Sequence, residues 1–260
     1  MEKISQEIVA ETFNTIRTNI NFLGLEKEMK VIMVTSSIKN EGKTTICCHI
    51  ADAFASIKKK ALLIDCDMRN PSVGKELGII KPKGLTDMIM AERGEGKDYR
   101  DYMYNVNDYF DVVTAGFRPP NPSEMVSSKR LELIVSNLRQ QYDVIILDTP
   151  PVLLVSDAVS LQRLADGILL VVKYGYTTKE ALRESKKVFE VAGIRPAACI
   201  FNSIPNVKKR NMYYGYYGYM ENETDKDIKK KEQSLTVKKA KIFSDGSKNK
   251  YVNPYRRKIK

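Results

Sequence analysis

Three kinds of residue in this 260-residue chain can do chemistry through their type and spacing. The first is the run Glu41-Gly42-Lys43-Thr44-Thr45, with Asn40 before it, which follows the β-branched stretch Val31 to Thr35 and opens a helical pattern. Strand, loop and helix in that order make a phosphate cradle. Backbone N–H groups and the positive helix end hold phosphate oxygens, the Lys ammonium reaches the β/γ-phosphates, and the Thr hydroxyl ligates Mg²⁺. Ser37 stands six residues before Lys43, where the G-x-x-x-x-G-K-[ST] pattern begins with Gly, so only half the pattern is literal. On spacing alone, nucleotide binding competes with a plainer reading: Gly42 turns the chain into a helix and Lys43 is a solvated first-turn residue.

The second kind is acidic. Asp65 and Asp67 close the apolar run from Ala61, and Asp148 closes Tyr142 to Leu147. Asp148 reads as a Walker B acid, which holds Mg²⁺ directly or through water; a carboxylate capping the next turn is the alternative. Residues i and i+2 of a strand point the same way, so Asp65 and Asp67 repel near phosphate unless Mg²⁺ and Lys43 offset them. With that offset, one acid binds metal and the other orients a nucleophile. Arg69 reads equally as a charge offset, a phosphate contact or a surface turn residue. The third kind is phenolic: Tyr213, Tyr214, Tyr216, Tyr217 and Tyr219 are spaced by glycine. Such a stretch has no core-forming period, and glycine keeps it mobile. Joined to a nucleotide site it reads as a self-phosphorylation substrate. A sticky low-complexity tail and a strip that stacks on single-stranded nucleic acid are the alternatives.

The elements that position these groups alternate. Apolar spacing predicts a helix over residues 4–22, then a strand at 31–36, a helix at 44–57 and a strand from Ala61. A short helix near 84–90, a polar loop at 94–107, a strand at 111–116 and a helix at 123–140 capped by Ser123 follow. Strand 142–147, helix 157–164, strand 167–173, helix 178–192 and strand 197–202 complete the pattern. Strands separated by helices mean right-handed crossovers and an α/β fold: a mainly parallel sheet with helices on both faces. Ligands sit beyond the carboxyl ends of such strands, where Asp65, Asp67 and Asp148 join the loop before Lys43.

Composition narrows the field. Residues 1–207 carry a net charge of +1 and residues 208–260 carry +10, so a near-neutral domain bears a basic tail. The expected divisions are a 1–207 kinase domain with an N-terminal helical element over 1–29, a tyrosine cluster over 208–220, and a basic, disordered tail over 221–260. The tail suits contact with anionic lipid, and no specific nucleic-acid binding is expected. One histidine, His49, argues against a zinc site or a Ser-His-Asp triad. Cys47, Cys48, Cys66 and Cys199 sit in apolar segments and read as buried reduced thiols. The N-terminal residues do not resemble a signal peptide and no apolar run approaches the ~18–20 residues of a membrane span, which predicts a cytoplasmic protein.

Taken together, these motifs resemble the bacterial tyrosine kinases (BY-kinases) of capsule and exopolysaccharide synthesis, in their Gram-positive cytoplasmic form. The resemblance runs over roughly residues 5–219. It rests on Arg17-Thr18-Asn19-Ile20, Glu41-Gly42-Lys43-Thr44-Thr45, LLIDCDMRNPSV, PPNPSEMVSSKRLE, YDVIILDTPPVLLVSDA and the tyrosine cluster. It implies a P-loop NTPase of the partition-ATPase-like group using ATP and Mg²⁺, phosphorylation of the cluster between subunits of a ring, and activation by a membrane-anchored partner at the inner face of the plasma membrane. It further implies that Lys43 binds the β/γ-phosphates, Thr44 and Asp148 hold Mg²⁺, Asp67 assists at the metal, and Asp65 orients or deprotonates the tyrosine. Asn40, Glu41, Gly42, Thr45 and Asn202 complete the nucleotide site. The family's Pro-Gly is Lys39-Asn40 here, its oligomerisation motif reads Glu11-x-x-Asn14-x-x-Arg17, and the chain continues beyond Tyr219 to Lys260. Asn tolerates a left-handed backbone, so the turn can survive. A partition-type ATPase without kinase activity and a catalytically weak, tyrosine-bearing scaffold are the competing readings. Ile38, not Lys, occupies the position five before Lys43 where partition ATPases carry a signature lysine.

Overall fold

The computed structural model describes residues 2–25, 28–79, 83–91 and 99–205. The tyrosine cluster and the basic tail lie outside the described residues. Helix α1 (Glu2–Leu23) leads to β1 (Val31–Ser36), α2 (Lys43–Ala55), β2 (Ala61–Asp65), α3 (Val73–Leu77) and α4 (Leu85–Met90). Strands β3 (Tyr104–Asn107) and β4 (Phe110–Val113), then α5 (Pro122–Val126), α6 (Lys129–Arg139) and β5 (Val144–Asp148) follow. The series ends with α7 (Asp157–Leu161), β6 (Gly167–Lys173), α8 (Lys179–Val191) and β7 (Ala198–Asn202).

The strands form one seven-stranded sheet in the order β3-β4-β2-β5-β1-β6-β7. All pairings are parallel except β3 with β4. A parallel sheet covered on both faces needs strands that are apolar throughout, and β1, β2 and β5 are buried at every residue. Alternate residues serve opposite faces. Val31, Met33, Ile64 and Leu147 meet α6 and α7 on one side; Ile32, Val34, Leu63 and Ile146 meet α1 and α2 on the other.

Helix α1 lies on α2, where Phe13 stacks on His49 at 4.6 Å. Arg17 Nη1 donates to Ala53 O at 2.5 Å and to Asn14 Oδ1 at 2.9 Å. Arg17 is thus spent inside the domain, whereas Glu11 is exposed. The expected helix over 123–140 is two helices. Ser127 ends the first and Ser128 caps the second, its hydroxyl accepting from Leu131 N at 3.2 Å, while Ser123 sends its hydroxyl to Asp157 at 2.9 Å rather than capping. The expected polar loop at 94–107 instead ends in edge strand β3. Cys199 is exposed, against expectation, because β7 is the sheet's other edge; Cys47, Cys48 and Cys66 are buried.

Candidate active site

The loop between β1 and α2 turns through two left-handed residues, Asn40 (φ 62°) and Gly42 (φ 88°). Asn thus supplies the conformation that glycine would otherwise give. Gly42 is needed for a second reason: a Cβ there would lie 2.2 Å from Asn202 Nδ2. That amide donates to Glu41 O at 2.8 Å. The Glu41 side chain is buried and turned into the loop, accepting from Ile38 N at 2.7 Å and from the Thr177 hydroxyl. Thr177 Oγ1 accepts from Lys173 N at 2.9 Å, and Lys173 Nζ donates to Asn40 O at 3.2 Å. The ends of β6 and β7 therefore fasten the loop. Thr45, expected at the nucleotide, donates to Glu76 Oε1 at 3.1 Å.

Across the loop stand the acids. Asp65 and Asp148 are register partners on β2 and β5, and both are buried with Asp67 and Lys43. Thr44 Oγ1 donates to Asp148 Oδ2 at 2.6 Å and lies 2.7 Å from Ser72 Oγ. Asp148 Oδ1 is buried and takes no hydrogen bond, while the weak thiol donor of Cys47 acts on the carboxyl as a whole. Burial pushes the Asp148 carboxyl up to about 6, against the pull of Lys43 and of the Thr44 hydroxyl. Asp65 differs. Its Oδ1 accepts from Asp67 N at 3.1 Å, and its Oδ2 accepts from Ser72 N and Val73 N, each at 3.0 Å. Burial pushes its carboxyl well above the usual range, with the Asp148 charge adding and the Val73 and Ser72 amides opposing. Strand β2 ends at Asp65, so the strand rule that put Asp65 and Asp67 on one side no longer governs Asp67. Asp67 retains 8% exposure, accepts from Asn70 N at 2.9 Å, and is raised by burial.

These groups fit Mg·ATP. A buried carboxylate oxygen without a strong donor, beside a hydroxyl and an ammonium, is what a nucleotide-borne cation needs. Among the described residues no group of three or more His, Cys, Asp or Glu forms a protein-only metal cage. Mg²⁺ in such sites takes one or two carboxylates and completes its shell with phosphate and water. Arg69 lies in the turn after β2, partly exposed and within the field of Asp67, and its main partner is another acid. Its Nε and Nη2 fork onto Asp157 at 2.7 and 3.2 Å, and Nη2 also reaches Ser123 Oγ at 2.7 Å, tying the turn after β2 to α5 and α7. Sequence reasoning missed Ser72, Asp157, Lys173 and Thr177. Ser72 and Asp157 carried a signal, each within a motif segment, LLIDCDMRNPSV and YDVIILDTPPVLLVSDA; Lys173 and Thr177 carried none.

An AAA domain family matches residues 29–191. Tyrosine-protein kinase YwqD of Bacillus subtilis is 36% identical over 215 residues, covering 82% of this chain and 88% of that protein. Putative tyrosine-protein kinase CapB of Staphylococcus aureus is 32% identical over 81% of this chain and 90% of its own length. Tyrosine-protein kinase wzc of Salmonella typhimurium is 34% identical over 86% of this chain, which spans 30% of that longer protein. Among solved structures, the chimerical protein CapA2B2 superposes with a TM-score of 0.69 at 29% identity, covering 75% of this chain and 84% of that one. A ParA family ATPase from Chlorobium tepidum shares the fold, with a TM-score of 0.56 at 16% identity, covering 67% of this chain and 74% of that one. With its P-loop facing a strand-end acid pair, the chain belongs to the bacterial tyrosine-protein kinases, the BY-kinases.

Proposed function

We propose that this tyrosine kinase uses Mg·ATP to phosphorylate the 213–219 cluster of another copy of itself, in control of capsule or exopolysaccharide synthesis. The observation that carries the reading is the unspent Asp148 Oδ1 beside Thr44 and Lys43. Lys43 and the loop amides, from Asn40 to Thr44, bind the β- and γ-phosphates. Thr44 and Asp148 would hold the metal, with Asp67 assisting. A bound Mg²⁺ supplies charge neutralisation across the phosphate oxygens during transfer. Asp67, the least buried of the three acids, receives the tyrosine hydroxyl in this reading. Asp65, whose oxygens serve three amides, fixes the turn that carries Asp67. A phenol titrates near ~10 and a carboxylate near ~4. Burial narrows that gap at Asp67, and in a loose transition state the proton leaves late, so orientation outweighs basicity.

Similarity to a chimerical CapA2B2 protein supports a partner protein, here a membrane-anchored activator that recruits the kinase to the inner face of the plasma membrane. Among the described residues no helix is long and apolar enough to cross a membrane. Contact of the basic tail with anionic lipid would add to recruitment. Ring assembly would draw on exposed Glu11 more than on Arg17.

The test is phosphotyrosine mapping by mass spectrometry of the purified chain with Mg·ATP and its membrane activator present. Wild type gains phosphate within 213–219 and Lys43→Met gains none. ATP hydrolysis with no tyrosine label would favour a partition-type ATPase. No rise in melting temperature with Mg·ATP would favour a scaffold.

A further inference from the structure

The tripeptide Tyr-Gly-Tyr occurs three times in the chain: at 214–216 and 217–219 within the cluster, and at 174–176 inside the domain. The internal copy forms the turn leaving β6. Tyr174 and Tyr176 are 58% and 43% exposed, and they are the tyrosines that stand open to solvent among the described residues. Gly175 sits in the left-handed region (φ 67°) with no atom within 4 Å of a would-be Cβ, so nothing crowds the turn. Tyr104 and Tyr142, by contrast, are buried and send their hydroxyls to Lys83 O and Asp111 Oδ2.

The turn also adjoins the P-loop. Lys173 Nζ lies 5.0 Å from the Tyr176 ring centre and donates to Asn40 O at 3.2 Å. One ammonium thus serves both the tyrosine and the loop that cradles phosphate.

We propose that Tyr174-Gly175-Tyr176 is a second phosphoacceptor site, and that phosphate on Tyr176 draws Lys173 off the P-loop. The inference rests on the tyrosine-kinase reading above. The Tyr176 Oη attacks the γ-phosphorus of ATP. An Oη–P bond forms and the bond from γ-phosphorus to the β-bridging oxygen breaks, its electron pair leaving with ADP. The phenolic proton passes to a site carboxylate and then to water. Thr177 pins this turn to Glu41 of its own P-loop, so a second copy supplies the nucleotide. The product carries about −2 charge and three acceptor oxygens beside Lys173. That group competes with Asn40 O for the ammonium and repels incoming nucleotide phosphate. The modification therefore lowers ATP affinity, about fivefold at the modest end of coupling between sites.

The test mixes full-length Lys43→Met chain with a Tyr174→Phe/Tyr176→Phe chain that keeps its catalytic residues, plus Mg·ATP. After trypsin, the peptide Tyr174–Lys179 in unaltered form comes only from the Lys43→Met partner. Phosphate on that peptide is the expected result. Phosphate confined to 213–219 overturns the inference and leaves the kinase reading standing; no phosphotyrosine on either chain removes both. Wild type alone serves as a second arm, with melting curves confirming that each variant folds. For the consequence, wild type phosphorylated at Tyr176 should bind Mg·ATP about fivefold more weakly than unphosphorylated chain. In a Lys173→Met background that difference should shrink. Equal affinities in wild type would overturn the regulatory half.

Discussion

Asp65 and Asp148 lie side by side on β2 and β5, equally buried and both at strand ends, yet they are wired oppositely. Three backbone amides converge on Asp65. Asp148 receives one hydroxyl and keeps an oxygen without a strong donor. A buried carboxylate that accepts several N–H groups has part of its desolvation opposed by the fold itself. One left partly unpaired destabilises the empty fold and binds whatever cation completes it. Burial therefore does not distinguish the two acids; the donors each already holds do.

The largest expected effect tests the binding side. Asp148→Asn should lower tyrosine-phosphorylation rate about 10²–10³-fold, while the nucleotide-free melting temperature at pH 7.5 stays equal or rises. A clearly lower melting temperature would break the contrast. Asp65→Asn should act the other way. An amide N–H₂ turned toward backbone donors leaves them unpaired, costing about 3 kcal/mol of stability in denaturant unfolding. A variant as stable as wild type would show that the three amides do not define Asp65.

The pH dependence is smaller. The Asp148 pKa is raised to about 6 in the folded chain from about 4 unfolded, so proton uptake favours the fold. Its stabilising contribution is full below about pH 4 and is lost as pH rises through about 6. Unfolding free energies of nucleotide-free wild type and Asp148→Asn should therefore diverge by about 1–3 kcal/mol as pH climbs from 4 to 7, with the variant the more stable. A gap independent of pH would count against the assignment. The smallest effect sharpens the comparison. Mg²⁺ without nucleotide should raise the wild-type melting temperature by about 2–4 °C, and Asp148→Asn should not respond.

Much of this arrangement was legible before the fold was known. The strands at 31–36 and 167–173 match residue for residue because a central parallel strand is one unbroken apolar run. Lys43, Thr44 and Asp148 were legible because the motif is local and the strand end fixes where the acid arrives. Edge strand β3 was not: Tyr104-Asn105-Val106-Asn107 is short and half polar, and only β4 makes it a strand. The hydrogen bonding of Asp65 was hidden because the strand rule stops at Asp65 itself, and its amide donors come from a turn up to eight residues on. Thr177 left no trace, since its partner Glu41 is 136 residues away and neither residue type announces the other.

A second long separation bears on how the molecule is made. The P-loop is laid down early in the chain, but the Asn202 amide that supports it arrives 161 residues later. At ribosomal speeds of about 5–20 residues per second, the wait is roughly 8–30 s. During synthesis the phosphate cradle therefore stays unbraced while most of the sheet assembles around it. The bracing is complete only when β7 docks, so the nascent chain finishes its P-loop and begins its tyrosine-rich stretch almost together.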